Sequence, residues 1–235
     1  MWDGLNTSVS NTSFRNYMYG NNVYLMDTIT SENCAYLIGD LSTFIQNDQN
    51  RDINEINFYI NSGGGEVYTA LAIIGLMNLA RAYDFKVSTW VFGWAASAAS
   101  LIATQGDYRV ISKYSRHFLH FGTITNITCK YSEIEKTCQQ NLEYANSLHE
   151  LYISASHGKL NSKLLHELES DERGYVLADK CVEYGLADVV LENDLAAKQN
   201  YELAKALFDK EYQKSLKPIK TRNRKEVKKG NENIQ

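Results

Sequence analysis

From residue 31 onward, apolar side chains recur at Cys34, Leu37, Ile38, Leu41, Phe44 and Ile45, the three-and-four spacing of one helix face. Ser31 and Asn33 supply capping chemistry at its start, so an amphipathic helix is predicted here with its stripe against a core. The period changes at residues 56–60 (INFYI), a run too short for a helix and rich in β-formers, which predicts a buried strand. It stops at Asn61-Ser62-Gly63-Gly64-Gly65, and a helix is predicted over 66–83. Residues 87–92 (VSTWVF) repeat the theme: a buried strand, a break at Gly93, then a helix of small residues over 95–104. Strand, glycine turn and helix, twice over, predict an α/β fold with a mostly parallel sheet and crossover helices, in which ligands gather at the carboxyl ends of the strands.

The remaining pattern adds short strands at 24–26, 108–111, 117–121 and 187–191. A long helix spans 131–156 with Glu133, Glu135 and Glu143 on its wet side, a second covers 162–169, and a third ends at Gly185. Residues 1–20 have no hydrophobic period and read as a flexible arm, 21–192 as the folded domain, and 193–235 as a helix to about residue 214 followed by a basic tail. No repeat of solenoid period is present.

Composition narrows the function classes. A chain of 235 residues with 44% hydrophobic and 22% charged residues suits one globular domain. Its net charge of -4 offers no global basic field for nucleic acid or an anionic membrane. The charge is uneven, with nine Lys or Arg against three Glu between Lys210 and Gln235, which reads as a solvated extension. No stretch reaches the about 18–20 apolar residues of a membrane span, and the first twenty residues lack a signal-peptide core. A cytoplasmic protein is the expectation. Cys34, Cys129, Cys138 and Cys181 are far apart and form no C-x-x-C pair, so reduced thiols are expected, with no metal site and no cofactor. The single proline and the abundance of Asn and Lys point to an AT-rich coding bias, as in a phage, an organelle or a parasite.

Two stretches carry candidate chemistry. In Gly93-Trp94-Ala95-Ala96-Ser97-Ala98-Ala99-Ser100 a serine falls on the first turn of a helix directly after a buried strand, near N–H groups with no partner inside the helix. Read alone, Ser97 is either a nucleophile or a packing and capping residue. A nucleophile needs a base, and His120 is the histidine brought to the same sheet edge. His120 alone is equally at home as a core histidine. His117 is out of phase with it, and His149, His157 and His166 fall on outer helices as surface residues. Asn61-Ser62-Gly63-Gly64-Gly65-Glu66 permits positive φ and can cradle an anion through successive N–H groups, or can be a plain turn. The phosphate-loop and dinucleotide spacings are absent, which favours a transient oxyanion over a phosphate.

Together, residues 58–65 (FYINSGGG), Gly93-x-Ala95-Ala96-Ser97-x-Ala99-Ser100, residues 115–120 (SRHFLH) and residues 183–188 (EYGLAD) resemble the ClpP family, the proteolytic subunits of Clp proteases, in order and spacing over residues 22–192. The resemblance implies a ClpP/crotonase-like spiral with a long handle helix, two stacked heptameric rings forming a tetradecamer, and active sites inside a closed chamber. It further implies a serine endopeptidase acting on protein or peptide substrates and fed by an AAA+ unfoldase. Ser97 matches the nucleophile, His120 the general base, and Gly65 and Ala98 the positions whose N–H groups form the oxyanion hole.

Three departures stand out. The family's Ser-Pro-Gly-Gly is Ser62-Gly63-Gly64-Gly65, which loosens the turn because proline's fixed φ is lost. The methionine after the nucleophile is Ala98, at a position acting through its backbone. An ungapped count back from Tyr184 puts Arg173 at the triad aspartate, whereas matching the preceding helix puts Asp171 there, with Glu172 in reserve. Asp171 is preferred because a loop absorbs insertions more easily than a helix. Arg173 keeps open a catalytically silent subunit of a mixed ring. A phage protease processing capsid or scaffold proteins, and a crotonase-type acyl-CoA enzyme, are the other readings.

Overall fold

A computed structural model describes residues 16–47, 50, 52–120, 129–170 and 174–192. Asp171, Glu172, Arg173, Phe121, the helix expected from residue 193 and the basic tail lie outside the described residues. In chain order the elements are β1 (Tyr17–Tyr19), β2 (Asn22–Leu25), α1 (Ser31–Gln46), β3 (Glu55–Ser62), α2 (Val67–Ala82), β4 (Lys86–Ala96), α3 (Ala98–Thr104), β5 (Tyr108–Ser112) and β6 (Arg116–Phe118). A single 3-10 turn (Tyr131–Glu133) leads into α4 (Ile134–Ala155), followed by α5 (Ser162–Ser170), β7 (Tyr175–Leu177), α6 (Ala178–Glu183) and β8 (Val189–Leu191).

The apolar stripe of α1 is buried at Cys34, Leu37, Leu41 and Ile45, and its cap is Thr30, whose hydroxyl accepts the Asn33 N–H at 3.1 Å. The sheet runs β1-β2-β3-β4-β5-β8, parallel throughout except for the β1–β2 hairpin. Inward side chains Ile56, Phe58 and Ile60 of β3 pack with Ile73 and Met77 of α2 and with Leu37 of α1 in one core. This is the mostly parallel α/β arrangement with crossover helices that the alternation predicted.

Strand β4 departs from expectation in a way that builds the site. It does not end at Gly93 but continues to Ala96, and α3 begins at Ala98 rather than residue 95. Between the pairs Ile60–Val91 and Ser62–Ala95 the register shifts, so Phe92 to Trp94 bulge out of the ladder. Before the bulge β4 pairs with β5, and after it Trp94, Ala95 and Ala96 pair with Arg116, His117 and Phe118 of β6. Alanines that read locally as helix are held in a strand by this new partner, tertiary pairing overriding local propensity. Strand β7 then pairs antiparallel with β6. Both β1 and β7 have only three residues and expose their flanking side chains, so neither carried a readable period.

Helix α4 is 22 residues long, and its buried side chains are confined to Leu148, His149 and Tyr152 near its C-terminal end. Its first half stands clear of the core, with Ile134 and Leu142 exposed. Below it, Arg109 is buried and bonded at every turn: to both carboxylate oxygens of Asp188 (2.6 and 3.0 Å) and to the carbonyls of Ala155 and Gly185 (2.7 Å each). Among the described residues, no helix is long and apolar enough to cross a membrane.

Candidate active site

Two strand ends and two turns converge at Ser97. Strand β4 delivers it, and its backbone adopts φ 52°, ψ -122°, a left-handed conformation that costs a non-glycine residue about 1–3 kcal/mol. The surroundings fix that strain. The Ser97 N–H donates to Phe118 O of β6 at 2.8 Å, and its carbonyl accepts the Leu101 N–H at 3.1 Å. A serine in a sharp strand-to-helix turn presents its hydroxyl above the sheet edge. Ser97 is half-buried, and its hydroxyl makes no hydrogen bond among the described residues.

The glycine turn abuts this corner. Gly64 has φ 86°, and a Cβ placed there would strike Ala96 O and lie 3.0 Å from both Ser97 Cβ and the Ala98 nitrogen. Gly65 has φ 150°, and a Cβ there would collide with Ile29 O. The turn is not loose despite the missing proline. Ser62 Oγ donates to Asp27 O (2.6 Å) and accepts the Gly64 N–H (3.1 Å), Ile29 N–H donates to Gly64 O (2.8 Å), and Glu66 N–H donates to Ile29 O (2.7 Å). The Glu66 carboxylate accepts from Thr69 Oγ1 and from Ser31 N–H at 2.8 Å each, bonds that hold its pKa below the usual carboxylate range. The N–H groups of Gly65 and Ala98 have no acceptor among the described residues. Gly64→Ala is therefore expected to destabilise the protein by about 2 kcal/mol through overpacking and positive φ, read as a fall in the urea midpoint at constant slope.

His120 lies two residues past the end of β6, exposed, with its ring stacked on Phe118 (centroids 5.8 Å apart, 13° between planes). It does not reach Ser97 Oγ through a hydrogen bond. Phe118 in turn packs against Tyr175 of β7, and the Leu119 N–H donates to Gly174 O at 3.3 Å.

His117 belongs to the core. It is 1% exposed, its Nδ1 lies 2.8 Å from Ser100 Oγ, and burial, reinforced by the Arg109 charge, pushes its pKa down from 6.5 to about 3. A folded state that keeps the ring neutral while the unfolded chain protonates loses stability as pH falls below the unfolded value. Between about pH 6 and pH 4 the loss approaches ~1.4 kcal/mol per pH unit. His117→Asn should flatten that limb by about one proton's worth of slope, measured by urea melts across pH.

His149 corrects the surface assignment made from sequence: it is only 8% exposed, and burial pushes its imidazole down, against the opposing pull of Glu169. His157 and His166 are exposed as expected. All four cysteines are free thiols, and burial pushes Cys181 up to about 12, leaving it inert. One contact with no sequence signal is Tyr152 of α4, whose hydroxyl stands 3.5 Å from Ser97 O. Nothing local marks it, because it is simply one apolar position on a long amphipathic helix.

The family model for Clp protease matches residues 7–194 of the chain. A similar protein is the ATP-dependent Clp protease proteolytic subunit 4 of Rhodococcus jostii (strain RHA1), 30% identical over 145 residues that cover 58% of this chain and 68% of the relative. With the parallel sheet, the strained serine corner and the glycine turn against it, these matches show that the chain belongs to the Clp protease family.

Proposed function

We propose that this chain is a serine endopeptidase working through an acyl-enzyme, with Ser97 as nucleophile and His120 as general base. The observation that carries it is the Ser97 corner: a hydroxyl on strained backbone at the carboxyl end of β4, against the Gly64–Gly65 turn, with the Gly65 and Ala98 N–H groups lacking acceptors among the described residues. Ser97 Oγ attacks the scissile carbonyl, its proton passes through His120 to the leaving amine, and water releases the acyl group along the same route. The Gly65 and Ala98 N–H groups take the oxyanion, each donor contributing about 2.7–4 kcal/mol in sites of this kind.

Asp171 is the third member of this proposal. Its support is chain connectivity: Gly174, whose carbonyl accepts the Leu119 N–H, comes directly after residues 171–173, and Leu119 comes directly before His120. Three residues of chain span at most ~10 Å.

The working form is a homo-oligomeric chamber of two stacked heptameric rings in the cytoplasm, supplied by an ATP-dependent unfoldase. Ile134 and Leu142, exposed on the first half of α4, and the open row of rings formed by Tyr17, Tyr24, Tyr59 and Phe92 are apolar side chains of the kind partner subunits cover. The alternative, a silent subunit of a mixed ring, draws on the missing Ser97–His120 hydrogen bond, although such bonds often close only when substrate binds.

A fluorophosphonate probe decides between them. The assembled wild-type chain should be labelled at Ser97, with the adduct located by peptide mass spectrometry. An assembled chain that stays unlabelled supports the silent subunit.

A further inference from the structure

On α5, His166 and Glu169 are three residues apart and share one face. Facing them across the helix pair is His149, one of the few side chains that α4 buries. His149 Nε2 lies 3.5 Å from Glu169 Oε2, the two imidazole rings meet edge to face with centroids 4.8 Å apart, and the donor atoms of all three residues fall within 4.8 Å of one another. An ion pair explains this poorly. The 3.5 Å separation exceeds the ~2.7–3.2 Å of a good N–H···O bond, and a second imidazole, His166, stands within 4.8 Å of the same carboxylate and ring. It does match a coordination edge: zinc bonds of about 2.0–2.1 Å in a tetrahedron set donor atoms ~3.4 Å apart.

We propose that His149, His166 and Glu169 bind one divalent transition-metal ion of the zinc class, tying α5 to the C-terminal part of α4. Two imidazoles and a carboxylate are a complete three-ligand zinc set, with a fourth position left for water. An open groove of about 920 Å³, lined by Ser162, Lys163, His166, Glu167 and Glu169, gives that position and the ion access to solvent. His166, exposed on α5, closes the remaining distance by a rotamer change, while buried His149 holds its place. The site escaped the sequence because His149 is separated from His166-x-x-Glu169 by a whole turn and helix start, and a lone His-x-x-Glu looks like ordinary helix surface. Zinc binding here does not depend on the chain being an active peptidase, since the readouts are binding and stability.

The test uses the full chain, free of any affinity tag and stripped with EDTA, then titrated with zinc chloride by calorimetry and with cobalt chloride by visible spectroscopy. One zinc per chain should bind, and at a free concentration of 100 times Kd it should shift the folding equilibrium about 100-fold toward the native state. Cobalt should give the d–d bands of a tetrahedral nitrogen and oxygen site. His166→Ala, at an exposed position, and Glu169→Gln should each weaken zinc by about 100-fold or more, beyond what loss of an outer-shell partner costs. The proposal is overturned if the wild type takes up no zinc, if both variants bind as tightly as the wild type, or if cobalt shows a thiolate charge-transfer band that assigns the metal to Cys129 or Cys138. The cobalt spectrum of the wild type decides the ligand type even where a variant folds poorly.

Discussion

Ser97→Ala is expected to lower turnover of a fluorogenic peptide by about 10⁴-fold or more while the chain folds and assembles as before. Removing the hydroxyl leaves substrate binding and the two backbone N–H donors, so the residual rate measures what the Gly65 and Ala98 positions contribute alone. His120→Ala should fall by a similar factor, because nucleophile and base act as one unit. Ser97→Gly should be equally inactive yet more stable, by up to about 1 kcal/mol, since glycine relieves the φ of 52° that serine adopts at a cost. A gain in stability paired with a loss of activity at one residue is the signature of strain kept for chemistry. Asp171→Asn and Glu172→Gln then separate the two acidic candidates: the first should lower the rate by ~10²–10⁴-fold and the second should leave it near wild type. Turnover that survives in Ser97→Ala would mean that another group cuts the peptide.

Asp188→Ala carries the largest expected effect on stability, about 3–5 kcal/mol by urea denaturation. Arg109 is buried with its guanidinium aimed at the Asp188 carboxylate and at the carbonyls of Ala155 and Gly185. Deleting the carboxylate leaves a buried cation whose remaining protein partners are carbonyls, with water able to reach it only from the part-exposed side where Asp188 stood, which costs more than the pair itself contributes. Asp188→Asn should cost less, because an amide oxygen still accepts from the guanidinium and from the Arg109 N–H now held at 2.8 Å. Because Arg109 ties β5 to the end of α4 and to the turn after α6, the loss should appear as a shifted midpoint of the whole transition.

The legible parts of this protein were those in which a local signal and its tertiary use coincide. The stripe from Cys34 to Ile45 faces the core, the run of residues 56–60 is the buried middle of β3, and the alternation of strand and helix produces the parallel sheet. Ser97 was marked by its position between a strand and small residues. Where local preference and global pairing disagree, the reading slipped. Ala95 and Ala96 look helical, but β6 recruits them into β4, and that is why α3 starts after the serine rather than before it. His149 looked like surface because nothing on α4 itself announces that α5 folds over it.

Residue types and their spacing along the chain therefore determined the fold class and marked Ser97 and the glycine turn as the candidates for chemistry, since these follow from periodicity and from which residues tolerate positive φ. Only the tertiary structure decided how the pieces meet. The bulge at Phe92 to Trp94 swings β4 from β5 to β6, Ile29 closes on the glycine turn, and α5 brings His166 and Glu169 against His149. Each joins residues distant in the chain, and contacts of that kind leave no mark in local periodicity because their stabilisation exists only once both partners are in place.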